Sequence, residues 1–515
     1  MMKKMKKMFA ILLALVMLLS VGVPALAVET PEAANDYEIA LISADGAYSD
    51  QALKDKGGVP GRVNVMWQGK CIAFPDAQPE IKDSRTMIPV RTVLESLDAT
   101  VEYLKETKGV KITMKDTSVT FPIGSTTATV TDKDGKESTI QMDCASYLKV
   151  EAGESRTMVP LRFLSEACGY DVLWDQGYRT ATVVDRDQMI AQIDAKLTKL
   201  NALLQSDKLP KQDKVRQDLS FTVQIGVKDT ETGKTTDLSV SGKVTAYTEG
   251  AKAYLDGTLD LTSLYKYFLE NAEPGDTSFS DMMAALKADP AHTAFQLLLD
   301  EKGDLYFHMP LLNDLSGLDK ATWIALGSYG AELTAALTAQ DVRGLTVGQI
   351  VVPAMIESMK DQGFSFYDTM DYLTVVFHAL YGDNVAKQVP GGYTWTFDAK
   401  ALIDSLGLDQ ETGAAVSSVL SGMKCVVTLK EDGSGALDFA MKSGVDGLGF
   451  DAALSMTTTA TSGKLDAHLV LTDAELGDYL TFRLTGESTT KTNATMPAFT
   501  LPAGAVVKDI AGLGL

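Results

Sequence analysis

DSRTMIPVR spans Asp83–Arg91, and ESRTMVPLR follows at Glu154–Arg162. At an offset of 71 residues the correspondence runs on past the nonapeptides, with Pro89 on Pro160, Arg91 on Arg162, Glu95 on Glu166, Val101 on Val172, Tyr103 on Trp174 and Ile112 on Val183. Self-similarity at a fixed separation marks a repeated supersecondary unit. Two copies are expected, over about 59–115 and 116–187.

Each copy has a physical reading. Met87-Ile88 and Met158-Val159 precede prolines, which push the preceding residue out of the helical region, so both pairs are extended. Pro89 and Pro160 suit a first helical turn, where a missing N–H costs nothing. Val90, Val93, Leu94 and Leu97 then share one helical face, as Leu161, Leu164 and Cys168 do more loosely. Val101 and Tyr103 alternate against Val110 and Ile112 around Lys105–Gly109, and Val172 and Trp174 precede a second polar turn at Asp175–Arg179, which predicts hairpins. Val63, Val65 and Trp67 upstream, and Val119, Phe121 and Ile123 before the turn Asp132–Gly135, read as further strands. The expected class is α+β, each copy being strands, a short helix and a hairpin.

Phe74-Pro-Asp-Ala-Gln-Pro79, Arg85-Thr-Met-Ile-Pro-Val-Arg91 with its helix and V-x-Y/W hairpin, and Arg156-Thr-Met-Val-Pro-Leu-Arg-Phe-Leu-Ser-Glu-Ala167 resemble the copper amine oxidase N-terminal-like (stalk) domain of secreted Gram-positive bacterial proteins. The resemblance covers about 59–187 and departs from the family pattern where the second copy reads Met142-Asp-Cys-Ala-Ser-Tyr147. It implies a non-catalytic appendage, since copper in the oxidases is held elsewhere by three histidines, two of them as H-x-H. The histidines here, His292, His308, His378 and His468, show no such spacing, so no copper site and no cofactor is expected.

Four lysines, the apolar run Phe9–Val23 and the small-residue site Ala25-Leu-Ala27 predict a secretory signal peptide over 1–27, with a polar linker over 28–58. No cysteine follows the apolar run to form a lipobox, and no later stretch is long and apolar enough to span a bilayer. A secreted or cell-envelope location is therefore expected. The formal charge of −21 becomes −25 without the leader lysines, which argues against nucleic acid and anionic lipid surfaces as partners. Cys71, Cys144, Cys168 and Cys425 include no C-x-x-C, and either one bridge among the first three or four isolated thiols fits them.

Ile190, Ile193, Leu197, Leu200 and Leu204 predict an amphipathic connector helix over 188–210. From 211 to 515 long alternating strands form two antiparallel meanders, around a helical middle with apolar stripes at Ile350–Met359 and Phe366–Leu380. A large antiparallel half-barrel with helices on its concave face, closed by Met496-Pro-Ala-Phe-Thr-Leu-Pro502, resembles LolA-like envelope lipoprotein folds. Such a fold would offer an apolar groove, for which Met355, Met359, Phe366, Met370 and Phe377, with Met282 and Met283, are candidate lining. The competing reading of these side chains is plain core.

Arg85, Arg91, Arg156 and Arg162 are candidate contacts to a cell-wall polymer or partner, guanidinium forks being suited to acidic groups. The competing reading is local ion pairing, as for Arg91 with Glu95 on one helix. Ser421-Gly-Met-Lys424 matches S-x-x-K, but the serine ends a helix rather than opening one, and no nucleophile elbow, zinc-binding H-E-x-x-H or phosphate loop is present. The expectation is a non-enzymatic envelope protein, with a duplicated stalk domain for display or wall association and a C-terminal domain that binds. A carrier or sensor of a lipid or other apolar ligand, and a wall hydrolase with an unassigned carboxylate pair, are the alternatives.

Overall fold

The computed structural model describes residues 49–509 apart from 115, 152, 210–213, 230–231, 251, 272–283, 285, 288, 329–343, 399–421, 446–447 and 476. The signal peptide, Met282, Met283 and Ser421 lie outside the described residues. The fold is α+β and mostly sheet, with few helices. It divides into two compact units, Thr30–Thr198 with Leu345–His378, and Lys199–Gly344 with Ala379–Leu515.

In the first unit, helix α1 (Asp50–Asp55) occupies the end of the expected linker, capped by the Ser49 hydroxyl, which accepts from Ala52 N at 3.0 Å. Then come β1 (Asn64–Trp67), β2 (Lys70–Cys71), β3 (Glu80–Lys82), β4 (Arg85–Pro89), α2 (Val90–Ser96), β5 (Thr100–Leu104) and β6 (Gly109–Met114). They are followed by β7 (Thr117–Pro122), β8 (Thr127–Thr131), β9 (Glu137–Gln141), β10 (Tyr147–Glu151), β11 (Glu154–Pro160), α3 (Leu161–Ala167), β12 (Asp171–Asp175), β13 (Thr180–Val184) and α4 (Arg186–Asp194). The order strand, helix, hairpin thus occurs at β4-α2-β5-β6 and at β11-α3-β12-β13. Pro89 ends its strand as the helix cap, with φ −64° and ψ 110°, and the helix opens one residue later than expected. Its missing N–H is harmless at a strand end.

Three sheets result, ordered β10-β11-β4-β3, β5-β6-β7-β8-β9 and β12-β13-β1-β2. In the first, β4 and β11 pair antiparallel, Met87 opposite Pro160, Ile88 opposite Val159 and Pro89 opposite Met158. Ile88 therefore faces the residue that corresponds to it in the other nonapeptide, so the pairing is centred on a local twofold. Alternation along the strands sends the two faces to different cores. Ile88 and Val159 enter the main core with Val90, Val93, Leu94, Ile112, Phe121 and Leu161. Met87 and Met158 turn the other way and form a small core with Ala77 and Cys144, flanked by Tyr147. In the third sheet β1 and β13 pair in parallel, Asn64 with Thr180 through Trp67 with Val183, tying the start of the unit to its second hairpin.

Most of the helical middle expected to fill the large sheet belongs to the first unit. Helix α5 (Val347–Ser358) and helix α6 (Phe366–Tyr381) as far as His378 belong to the first unit, where Tyr367 Oη donates to Val183 O at 2.8 Å, Thr182 Oγ1 to Gly363 O at 2.8 Å and His378 Nε2 to Ile193 O at 2.7 Å. An apolar stripe specifies that a helix needs a partner and not which partner it takes. The single connector helix is likewise corrected. The chain breaks at residues 195–197 between α4, capped by Asp185, and a short helix at Thr198–Leu204.

The second unit holds one 14-stranded sheet. Its strands are β14 (Lys214–Lys228), β15 (Thr235–Glu249), β16 (Lys252–Asp260), β17 (Thr293–Leu299), β18 (Asp304–His308), β19 (Thr322–Ser328), β20 (Lys387–Val389), β21 (Gly392–Asp398), β22 (Lys424–Lys430), β23 (Gly435–Val445), β24 (Leu448–Thr458), β25 (Ser462–Asp473), β26 (Gly477–Thr492) and β27 (Val506–Asp509). Spatially β20 to β26 run in sequence order, β26 pairs with β14, and β14 to β19 continue to β27. Every neighbouring pair is antiparallel except β19 with β27. One face buries Phe221, Val223, Val240, Val244, Leu255, Leu259 and Phe295, covered by Tyr265, Leu286, Leu311 and Leu312 from helical segments inside the meander. Two strand glycines make room for the rings, since a Cβ on Gly242 would stand 2.6 Å from Phe221 and one on Gly257 2.6 Å from Phe295. On the other face Phe499, with Met496 and Leu501, packs on Leu298, Trp323, Tyr247, Tyr254 and Tyr306, which accounts for the closing motif.

Gly348 sets the approach of α5 to α4, because a Cβ there would lie 2.7 Å from Ile190 O and 2.9 Å from Ile190 Cα, backbone atoms that cannot turn aside. Gly348→Ala is expected to destabilise the first unit by about 1–3 kcal/mol through overpacking, read as a lower urea midpoint at unchanged slope.

Candidate functional site

The four arginines divide into two pairs. Arg85 Nε donates to Asp143 Oδ2, and Arg156 Nη2 donates to Asp76 Oδ2. The arginine of each nonapeptide thus reaches the carboxylate in the loop before the other one. Asp76 belongs to the FPDAQP loop and Asp143 to the divergent MDCASY loop, so the two loops make the same kind of contact despite their different sequences. Beside them Glu80 accepts from Tyr147 Oη and, at 2.9 Å, from Lys149 Nζ. The Arg156 hydrogen bond holds the Asp76 carboxyl below its ordinary range. Hydrogen bonds from Tyr147 and then Lys149 do the same for Glu80.

Arg91 and Arg162 are exposed on their helices. Arg91 lies 3.7 Å from Glu95, a solvent-facing i,i+4 pair. These two guanidiniums remain presentable to a partner, whereas Arg85 and Arg156 are committed to carboxylates. Of the apolar candidates, Met359, Phe366 and Met370 are buried and Met355 and Phe377 half-buried. All five lie in the first unit. Side chains as enclosed as Phe366 and Met370 pack rather than line an open groove.

The polar face of the large sheet carries hollows that sequence reasoning did not single out. Successive cross-strand partners Ser455, Asp466, Thr485, Thr222, Ser241 and Asp260 form one row across β24, β25, β26, β14, β15 and β16. All six border a hollow of about 870 Å³. A second, of about 530 Å³, reaches Tyr247 and shares Ser220, Lys243 and Thr258 with the first. The row itself carries hydroxyls and carboxylates, groups able to hydrogen-bond a polar, hydroxyl-rich ligand, beside apolar lining from Phe221, Ala291 and Leu465. The signal was present as the polar half of each strand's alternation, which looks the same for any solvent-facing sheet. Part of the charge is already neutralised, by Lys464 with Glu487 at 2.9 Å and Arg483 with Asp466 at 2.8 Å.

Several described groups suited to covalent or metal chemistry are engaged in structural contacts. Burial pushes the Cys71 and Cys168 thiols up to about 11, which keeps them protonated and poorly nucleophilic. His378 and His308 donate to backbone carbonyls, and Lys442 pairs with Asp451 at 2.7 Å. Among the described residues no three His, Cys, Asp or Glu side chains cluster as a metal site.

The order strand, helix, hairpin occurs twice, and each time the arginine of the leading strand is tied to a carboxylate. Residues 66–202 match the family model described as Copper amine oxidase N-terminal domain, and this segment, about a quarter of the chain, is a domain of that family. The match takes in that domain and not the oxidase catalytic domain. No curated protein matches the chain.

A carboxyl whose folded pKa is depressed contributes stability that is present above its unfolded value and lost as pH falls through the folded one. Asp76 and Glu80 both have this sign. The first unit is therefore expected to lose stability as pH drops below about 4, and Asp76→Asn with Glu80→Gln to flatten that acid limb, read as thermal midpoint against pH.

Proposed function

We propose that this chain is a non-catalytic secreted or cell-envelope protein, in which the unit carrying the copper amine oxidase N-terminal-type domain serves display or wall association and the large-sheet unit binds a ligand. The observation that carries this reading is the crossed pairing of Arg85 with Asp143 and of Arg156 with Asp76. It commits the most chemically distinctive residues of the repeated motif to holding two halves together. A tandem duplication explains why those halves meet around a local twofold, and the signal peptide expected over 1–27 is in keeping with export.

In the binding unit, the polar hollows favour a hydrated ligand such as a wall glycan. The half-barrel likeness to LolA-type folds belongs to this reading, as a scaffold that carries a binding face. A second reading, an apolar-ligand carrier, draws on Leu454, Met456, Leu465 and Leu469, which remain only half-buried on the opposite face. Arg91 and Arg162 are the candidate wall contacts.

The full secreted chain is expected to co-sediment with purified peptidoglycan, to leave wall turbidity unchanged, and to show no acyl mass by native mass spectrometry. Arg91→Glu with Arg162→Glu should lower the retained fraction without altering the circular dichroism spectrum. Retained acyl mass would favour the carrier, falling turbidity would favour a hydrolase, and indifference to walls would remove the proposed association.

A further inference from the structure

Val150 and Leu148 are the most exposed large hydrophobic side chains among the described residues, at 71% and 56%. Both stand on one face of β10, an outermost strand of the sheet β10-β11-β4-β3. Edge strands in natural proteins are blunted by short length, bulges, proline or lysine, because an open edge templates pairing with another chain. The opposite edge, β3, has only three residues. By contrast β10 has five, in unbroken register with β11, and contains no proline. Its one lysine, Lys149, points to the other face, where its Nζ lies 2.9 Å from Glu80 and 3.1 Å from Glu151. Among the described residues, none of these protections faces the edge beside Leu148 and Val150.

We propose that β10 pairs antiparallel with the β10 of a second copy of this chain, about a twofold axis at Val150, joining two four-stranded sheets into one. This register sets Val150 against Val150 of the second copy. It also sets Lys149 against Glu151 in both directions, giving two opposite-charge cross-strand pairs beside an apolar one. The neighbouring register, centred on Lys149, would place two lysines directly opposite each other, which is destabilising. The arrangement repeats at the sheet edge what β4 and β11 do at its centre, an apolar pair on a twofold. Five-residue strands bury less than the ~1,200 Å² of a stable interface, so the association is weak and concentration-dependent.

Sedimentation velocity of the full chain over a concentration series tests this. The weight-average mass should rise from one chain toward two, and Val150→Lys and Glu151→Lys should each hold it at one with circular dichroism unchanged. Leu448→Lys, an exposed apolar site on the other unit, should behave as the unaltered chain. Under mild oxidation Val150→Cys should give a disulfide-linked dimer that the unaltered chain and Leu148→Cys do not. A single-chain mass at every concentration would overturn the proposal, as would a dimer indifferent to Val150→Lys or equal cross-linking through Leu148→Cys.

Discussion

The pairing of β4 with β11 is the constraint on which the first unit depends. Because a strand shows alternate residues to opposite sides, this one ladder feeds two cores, Ile88 and Val159 to one and Met87 and Met158 to the other. A slip of one residue would exchange the two sets and carry the arginines away from their carboxylates. Two burial patterns and two crossed ion pairs therefore agree on a single register. Each buried side chain stabilises that agreement by about 1.5–3 kcal/mol relative to exposure, before packing losses in alternatives are added.

Much of the first unit was legible because its information is local. The nonapeptides, the helix faces and the hairpins at Lys105–Gly109 and Asp175–Arg179 are all written within a dozen residues of one another. The crossed pairs were not legible, since Arg85 finds its partner 58 residues away and Arg156 80 residues away. The loops that supply those partners differ in sequence, so aligning the copies hid an equivalence that the contacts display. Met359, Phe366 and Met370 were readable as apolar stripe residues. Their destination was not, because hydrophobic periodicity gives a face without naming what covers it.

The large sheet shows the complementary limit. Its alternation was plain in the sequence and correctly implied long antiparallel strands. Yet the row from Ser455 to Asp260 is assembled from six strands drawn from both meanders, and no window of sequence contains it. Closure between β26 and β14 brings the two meanders side by side, and only there do the serine, threonine and aspartate side chains become one surface. The segment between the meanders leaves in part for the first unit, so the large sheet is covered by helical segments around Tyr265, Leu286 and Leu311 instead.

Joining β1 to β13 is the costliest step in this architecture. Parallel strands cannot be linked by a hairpin, and here the connection runs through nearly the whole repeated region. Loop-closure entropy grows only logarithmically with length, so the cost is moderate in free energy but is incurred before any contact at the seam repays it. Repayment comes from Val65, Met66, Ala181 and Val183, all of them buried at the junction. The sheet that carries this closure also receives Tyr367 and Gly363 on Val183 and Thr182. The returning segment therefore packs on the strand pair that most needs support, which gives a physical reason for residues 345–378 to belong with a domain that ends in sequence well before them.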